Sequence, residues 1–375
     1  MHFLVRERAA LAKFLPELEA RMREFTLAQT EAEGNPSIAA FKEVGGPGLL
    51  IPEKYGGGGA TAVEACRVNI ALGTMSPSLA IATTMHNFSV ATLVQMASVG
   101  TGLEWIALEA VARQKLLMAS GFAEGRKGAG ILSPYMRLTK GENGYTVSGT
   151  KKPCSLSRSM DLLTLSVIVP GETEADDRLA VVLLPGNDPK IERKPFWKSP
   201  ILAGAESDEV ILNEVPVPEK VISYSGAPGD LDNVQVGGFL WFELLITASY
   251  LGMTAGLVER VVEAKRGAAS ERTRLGTIVE GALAALEGLA SEIDRGDRSE
   301  HLLARSLFVR YAVQQAIERA SMLAAEMLGG MAFIGSIDVA YYFASSRALA
   351  FHPPSRDGMA EALADYLSGE TLLIH

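Results

Sequence analysis

Phe41–Thr61 reads FKEVGGPGLLIPEKYGGGGAT. A short apolar stretch ending in Ile51-Pro52 is bracketed by glycines, and Gly56 to Gly59 follow one another without interruption. Glycine loses the most backbone entropy on ordering and proline lacks an amide hydrogen, so neither half continues a helix. A glycine run can wrap phosphate, but no Lys-Ser or Lys-Thr follows, as a phosphate-binding loop requires. Read by itself, the stretch is a flexible connection between helices.

On either side the pattern is helical. Apolar residues recur every three to four positions through Leu4–Phe25, Ala62–Leu72 and Trp105–Leu116. The first of these carries charges inside its periodicity and no small-residue cleavage site, so it reads as an amphipathic helix rather than a signal peptide. Beyond residue 115 the period changes to that of strands. YMRLTKGENGYTVSGTKKPCS alternates and turns at Glu142-Asn143-Gly144, a hairpin signal. DLLTLSVIV, LAVVLLPG and DEVILNEVPVP are further runs of strand length, which makes a compact antiparallel β domain. Phe196 and Trp197 read as its core or interface. Long, nearly all-apolar helical stretches then run to the C-terminus, as in a bundle that also forms a subunit interface. The expected class is α+β: an N-terminal helical domain (1–115), a β-barrel-like middle domain (116–228) and a C-terminal four-helix bundle (229–375).

Composition narrows the function. The 375 residues are 48% apolar and carry a formal charge of −9, which suits a sizeable core and argues against nucleic-acid binding. The histidines (2, 86, 301, 352, 375) are scattered, and Cys66 and Cys154 lack metal spacing, so no metal site and no disulfide framework is expected. No apolar run reaches the roughly 20 residues of a membrane span. A cytoplasmic protein without membrane contact is the expectation.

Five strings in order resemble the acyl-CoA dehydrogenase family: the opening stretch, MHNFSVATLV, ASGFAEGRKGAG, GYTVSGTKKPCSLSRSMDLL and AAEMLGGMAF. The resemblance spans about residues 38–356. It implies a flavin between the β domain and the bundle, FAD or alternatively FMN or reduced flavin from a partner, in a homodimer or homotetramer. It places Phe122 and Ala123 on the flavin-binding turn. Ser155 falls on the hydroxyl near the reactive ring nitrogen, a place where reduced flavin needs a hydrogen-bonding group. Arg272 falls on the arginine that pairs with the FAD pyrophosphate of a neighbouring subunit. Gly329 and Gly330 fall on the Gly-Gly that admits the cofactor closely, and Ser355 on a hydroxyl beside the flavin. Four positions depart from the pattern: Ala123 replaces a threonine, Pro153 an aromatic residue, Glu326 a glutamine, and Ala344-Ser345 an Arg-Asp pair.

The largest departure concerns the base. Thioester dehydrogenation removes a proton alpha to a carbonyl and needs a carboxylate of raised pKa. An ungapped count from Gly330 puts Pro353 where the family has its glutamate. In the family's other position, on the first bundle helix, the two possible registers give Phe242 or Ile246. Two substitutes remain. Glu243 is a lone carboxylate in the apolar string FLWFELLITASYLG, costly there unless paired or functional. His352, beside Pro353, is a group of near-neutral pKa. His86 reads as an interior residue.

Three readings follow. One is a flavin dehydrogenase of an acyl-CoA or acyl-carrier-protein thioester with Glu243 or His352 as base and a separate electron acceptor. The second draws on the related flavin monooxygenases of the dibenzothiophene and hydroxyphenyl types, which KPCSLSRSMDLL and FHPPSRDGMAEALADYL resemble. These use reduced flavin from a reductase together with oxygen, and need no carboxylate. The third is a flavin-free binding scaffold.

Overall fold

Pro16 divides the first periodic stretch, so Leu4–Phe25 folds as two helices rather than one. In this computed structural model, which describes residues 2–100, 104–125, 134–142, 144–228 and 232–374, they are α1 (Val5–Phe14) and α2 (Leu18–Met22). α3 (Leu27–Thr30), α4 (Pro36–Glu43), α5 (Ala62–Met75), α6 (Pro77–Val99) and α7 (Glu104–Gln114) follow. Thr61 and Glu64 close a capping box on α5, and Ser76 caps α6 ahead of Pro77. Asn143 of the expected hairpin turn and Arg126–Gly130 of the third string lie outside the described residues.

The glycine run is ordered where a flexible connection was expected. The Gly58 amide donates to the Gly48 carbonyl at 2.9 Å, and the Ala60 amide to Leu49 at 3.0 Å. A Cβ on Gly57 would sit 2.1 Å from the Ile51 carbonyl oxygen, so only glycine lets the chain fold back this tightly.

The middle of the chain forms two four-stranded sheets. One runs β1 (Met118–Gly121), β4 (Leu162–Val169), β5 (Arg178–Pro185), β8 (Ile222–Tyr224). The other runs β2 (Leu138–Gly141), β3 (Gly144–Cys154), β7 (Asp208–Val217), β6 (Ile191–Lys194). The domain is not wholly antiparallel. β1 pairs in parallel with β4, Met118 opposite Leu162, because the β2–β3 hairpin lies between them in sequence and supplies the long connection a parallel pair needs.

The remaining helices are α8 (Asn233–Glu263), α9 (Ala269–Asp294), α10 (Glu300–Leu328), α11 (Gly330–Gly335), α12 (Ile337–Ser346) and α13 (Ala360–Leu367). Against expectation, α8 is long and apolar enough to cross a membrane. However, 94% of its apolar window is buried among neighbouring helices, as in the core helix of a folded domain. It meets α5 at near-backbone contact: a Cβ on Gly252 would lie 2.3 Å from the Ile70 carbonyl oxygen, and one on Gly73 2.5 Å from that of Ser249.

His86 joins three of these parts. Its Nδ1 accepts from the Met118 amide of β1 at 3.0 Å, so the proton rests on Nε2, which donates to the Pro47 carbonyl at 3.0 Å. The ring on α6 thereby ties the glycine-rich segment to the first sheet, and is fully buried, as expected for an interior histidine. A second proton on Nδ1 would oppose the Met118 N–H. Burial accordingly pushes the pKa down to about 4. The unfolded chain binds this proton more readily than the folded one. The stabilisation is therefore complete above about pH 6.5 and disappears as the pH falls towards 4. Denaturant unfolding between pH 7 and 4 should show a loss of about 3 kcal/mol from this residue, and His86→Gln should flatten that part of the profile.

Candidate functional site

A cavity of about 750 Å³ opens between the sheets and the bundle. Each wall comes from a different element: Met85 and Phe88 of α6, Ser120 and Phe122 of the β1 end, Pro153 and Ser155 of the β3 end, and Phe242 and Tyr250 of α8. The segment Ala348–Pro353 closes the last side. The surface is mainly apolar, with its hydroxyls grouped on the sheet side, where Ser155 Oγ lies 2.9 Å from Ser207 Oγ. This size and this mixture of apolar walls and a few polar groups are typical of a small-molecule site.

Glu124 reaches the cavity already bonded. It accepts from Lys151 Nζ at 2.8 Å and from the Met136 amide at 3.0 Å, and Lys151, fully buried, also donates to the Ser166 carbonyl at 2.9 Å. Burial alone would raise the Glu124 pKa. The Lys151 bond and charge, with the two amides of Tyr135 and Met136, outweigh it and hold the carboxyl below the usual range.

Glu243 does not reach the cavity. Its side chain is fully buried and receives Arg310 Nη1 at 2.8 and 3.0 Å, so the paired alternative holds rather than the free base. Arg310 also donates to the carbonyls of His352 (2.5 Å), Pro353 (3.2 Å) and Leu349 (3.4 Å). Tyr311 adds a bond to the Pro354 carbonyl at 3.0 Å. Thus the segment that replaces the family's glutamate is held by its backbone. His352 does face the cavity, where Nε2 lies 2.8 Å from Tyr250 Oη. Burial, reinforced by the Arg310 charge, lowers its pKa to about 3 and keeps the ring neutral.

Of the sequence-derived candidates, the fold brings Phe122, Ala123, Ser155 and His352 together at the cavity. It also brings there Pro153 and Ala344, two of the departures, and Trp197, expected in a core or interface. Ser355 points elsewhere: it is exposed and its Oγ accepts from the Gly358 amide at 3.1 Å, because the bound carbonyls of Pro353 and Pro354 direct the chain outward. Arg272 is half-buried at the start of α9 and donates to the Gly267 carbonyl at 2.5 Å. Gly329, with φ 81°, ends α10, and Gly330 begins α11. These three stand outside the cavity of their own chain. Tyr250, Ser207 and Arg310 were missed. Arg310 had left a signal, since it falls on the apolar stripe of α10 with Leu303 and Leu307.

Residues 7–102 match the description "Acyl-CoA dehydrogenase, N-terminal domain". The chain is 45% identical to isobutylamine N-hydroxylase of Streptomyces viridifaciens over 364 residues, covering 96% of each protein. Among solved structures, FMN-bound TdsC from Paenibacillus sp. A11-2 superposes with a TM-score of 0.83 at 17% identity, covering 98% of both chains. The nitrososynthase of Micromonospora carbonacea var. africana superposes at 0.81 and 17%, covering 97% of this chain and 96% of its own.

Removing one partner of a buried ion pair leaves the other charged and unmet. Glu243→Gln should therefore lower stability by about 3–5 kcal/mol in chemical denaturation. Glu243→Leu with Arg310→Met should recover most of that loss. It should not recover activity, because the carbonyls of Leu349, His352 and Pro353 then lose their bonds to Arg310.

Proposed function

The chain belongs to the acyl-CoA dehydrogenase-like flavin enzymes that include isobutylamine N-hydroxylase, and from that premise we propose that it is a flavin-dependent monooxygenase acting on the nitrogen of a small primary amine. One observation carries this reading: among the described residues, no carboxylate free to take a proton faces the cavity. Pro353 stands where the family's base would be, Glu243 is consumed by Arg310, and Glu124 is held ionised by Lys151. Among the described residues, removal of a carbon-bound proton alpha to a thioester has no free carboxylate to perform it. Oxygenation of an amine nitrogen needs none.

The residues present fit a flavin. Phe122, Pro153 and Trp197 offer flat apolar walls, and the Ser155–Ser207 pair offers hydroxyls to a polar ring edge. FMN and FAD both suit this part of the site. Bound reduced flavin would supply the electrons that activate oxygen.

The chain's own groups prepare the amine. Apolar walls exclude water and favour the uncharged amine over the ammonium ion, and only the uncharged form has a lone pair to react. His352 is too weak a base to deprotonate an alkylammonium ion. As a neutral ring bonded to Tyr250 it is instead a fixed hydrogen-bonding partner that can orient the amine N–H.

Incubation with isobutylamine, FMN or FAD, a flavin reductase, NADH and oxygen should yield the N-hydroxylamine by mass spectrometry. An acyl thioester should not bleach bound flavin anaerobically. Bleaching without amine oxidation would overturn the reading. His352→Ala should lower kcat/KM about tenfold, the worth of one neutral hydrogen bond. The wild-type pH profile should show no limb near pH 6.5, because the ring does not titrate there.

A further inference from the structure

Behind the main cavity lies a second, smaller and almost wholly apolar one of about 80 Å³. The two share the rings of Phe88, Phe122 and Phe242. Phe88 stands edge-on to both others, with centroids 5.4 Å from Phe122 and 5.6 Å from Phe242, so the partition is built of aromatic edges. Beyond it the walls are β4 and β5, represented by Ser166 and Val181, and the first turns of α8, represented by Gly238. A Cβ on Gly238 would lie 2.9 Å from Thr92 Oγ1, so the absence of a side chain there keeps the helix close without filling the space. Ser166 is 92% buried, and its Oγ has no hydrogen-bond partner among the described residues. Ser166 lines the pocket without spending its hydroxyl on the fold, so replacing it by an apolar side chain breaks no side-chain bond.

We infer that this inner pocket receives the carbon chain of the substrate and limits its length. The inference rests on the amine reading above and adds to it the class of amine: short alkylamines whose chain passes the aromatic partition while the nitrogen stays in the main cavity near His352 and Tyr250. An apolar cavity of about 150 Å³ accommodates benzene, so roughly half that volume holds about three or four carbons. A longer chain has no room behind the partition and must remain in the main cavity, where it competes with flavin. Up to the limit, each buried methylene should raise kcat/KM about fourfold.

The test is a chain-length profile, from ethylamine to n-octylamine with isobutylamine, on wild type and three variants. Val181→Ala enlarges the pocket and should move the optimum up by about one carbon. Ser166→Val and Gly238→Ala fill it from opposite sides and should move the optimum down, with flavin affinity by fluorescence unchanged in all three. Two filling variants guard against a single misfolded protein. A wild-type rate independent of chain length, or variants that rescale every amine equally, would overturn the pocket assignment.

Failure of the pocket and failure of the amine reading are separable by binding to flavin-free protein. Isobutanol, which has the alkyl group without the amine, should raise the melting temperature of wild type more than that of Ser166→Val. If no amine is oxidised by any of the proteins but this difference persists, the alkyl pocket stands and the amine reading falls. If isobutanol stabilises both equally, the pocket assignment falls regardless of turnover.

Discussion

A guanidinium cannot shed its charge in a protein interior, and that constraint organises this site. Arg310 is almost completely buried, so its surroundings must supply an anion and acceptors. Glu243 supplies the anion from α8, and the carbonyls of Leu349, His352 and Pro353 supply acceptors. One side chain of α10 therefore fixes α8 and the segment after α12 against each other. The inner faces of both are walls of the cavity. Prolines suit this segment, since they have no amide hydrogen to satisfy and Arg310 uses only carbonyls.

The same economy governs the other buried charges. Lys151 and Glu124 neutralise each other at the sheet side of the cavity, and the Glu124 carboxylate is bonded from three directions. Glu31 is shared by Ser76, Ser78 and Tyr341, joining the start of α6 to α12, while the Leu202 amide donates to the same tyrosine at 2.7 Å. Each carboxylate near the site is thus structural. Among the described residues, Lys152 is the one cation on the wall and is paired with Glu209 at 2.8 Å; the other polar groups available for chemistry are neutral, the hydroxyls of Ser155 and Ser207 and the Tyr250–His352 pair, set in apolar surface. Such a cavity supports reactions in which the cofactor supplies the electrons and the protein supplies shape, dryness and orientation.

Glu243 and His352 illustrate how far residue type could be read without coordinates. Both were conspicuous, one as a lone acid in an apolar helix and one as the proton-transfer group nearest a missing glutamate. Helical periodicity tells that position 243 is interior, but not which residue of another helix lies opposite. The partner, Arg310, is 67 residues away. Ser155 and Phe122 were legible because they sit in local strings whose backbone conformation is set within a few residues. Ser355 was not, because its direction depends on Arg310 and Tyr311 holding the preceding carbonyls. The glycine run shows the opposite error. Read locally it is flexible, whereas the tight return over Gly48–Ile51 and the His86 bond to Pro47 make it rigid.

The sequence by itself determined the order of helical, β and helical segments, the resemblance over most of the chain, and the absence of the usual glutamate, since each depends on periodicity or on residues adjacent in the chain. Only the tertiary structure decided that Glu243 is a counterion, that His352 is neutral and faces the cavity with Tyr250, and that an alkyl-sized pocket lies behind three phenylalanines. A side chain's charge state and its exposure to a ligand depend on what is packed against it, and the groups packed against these residues are distant in the chain.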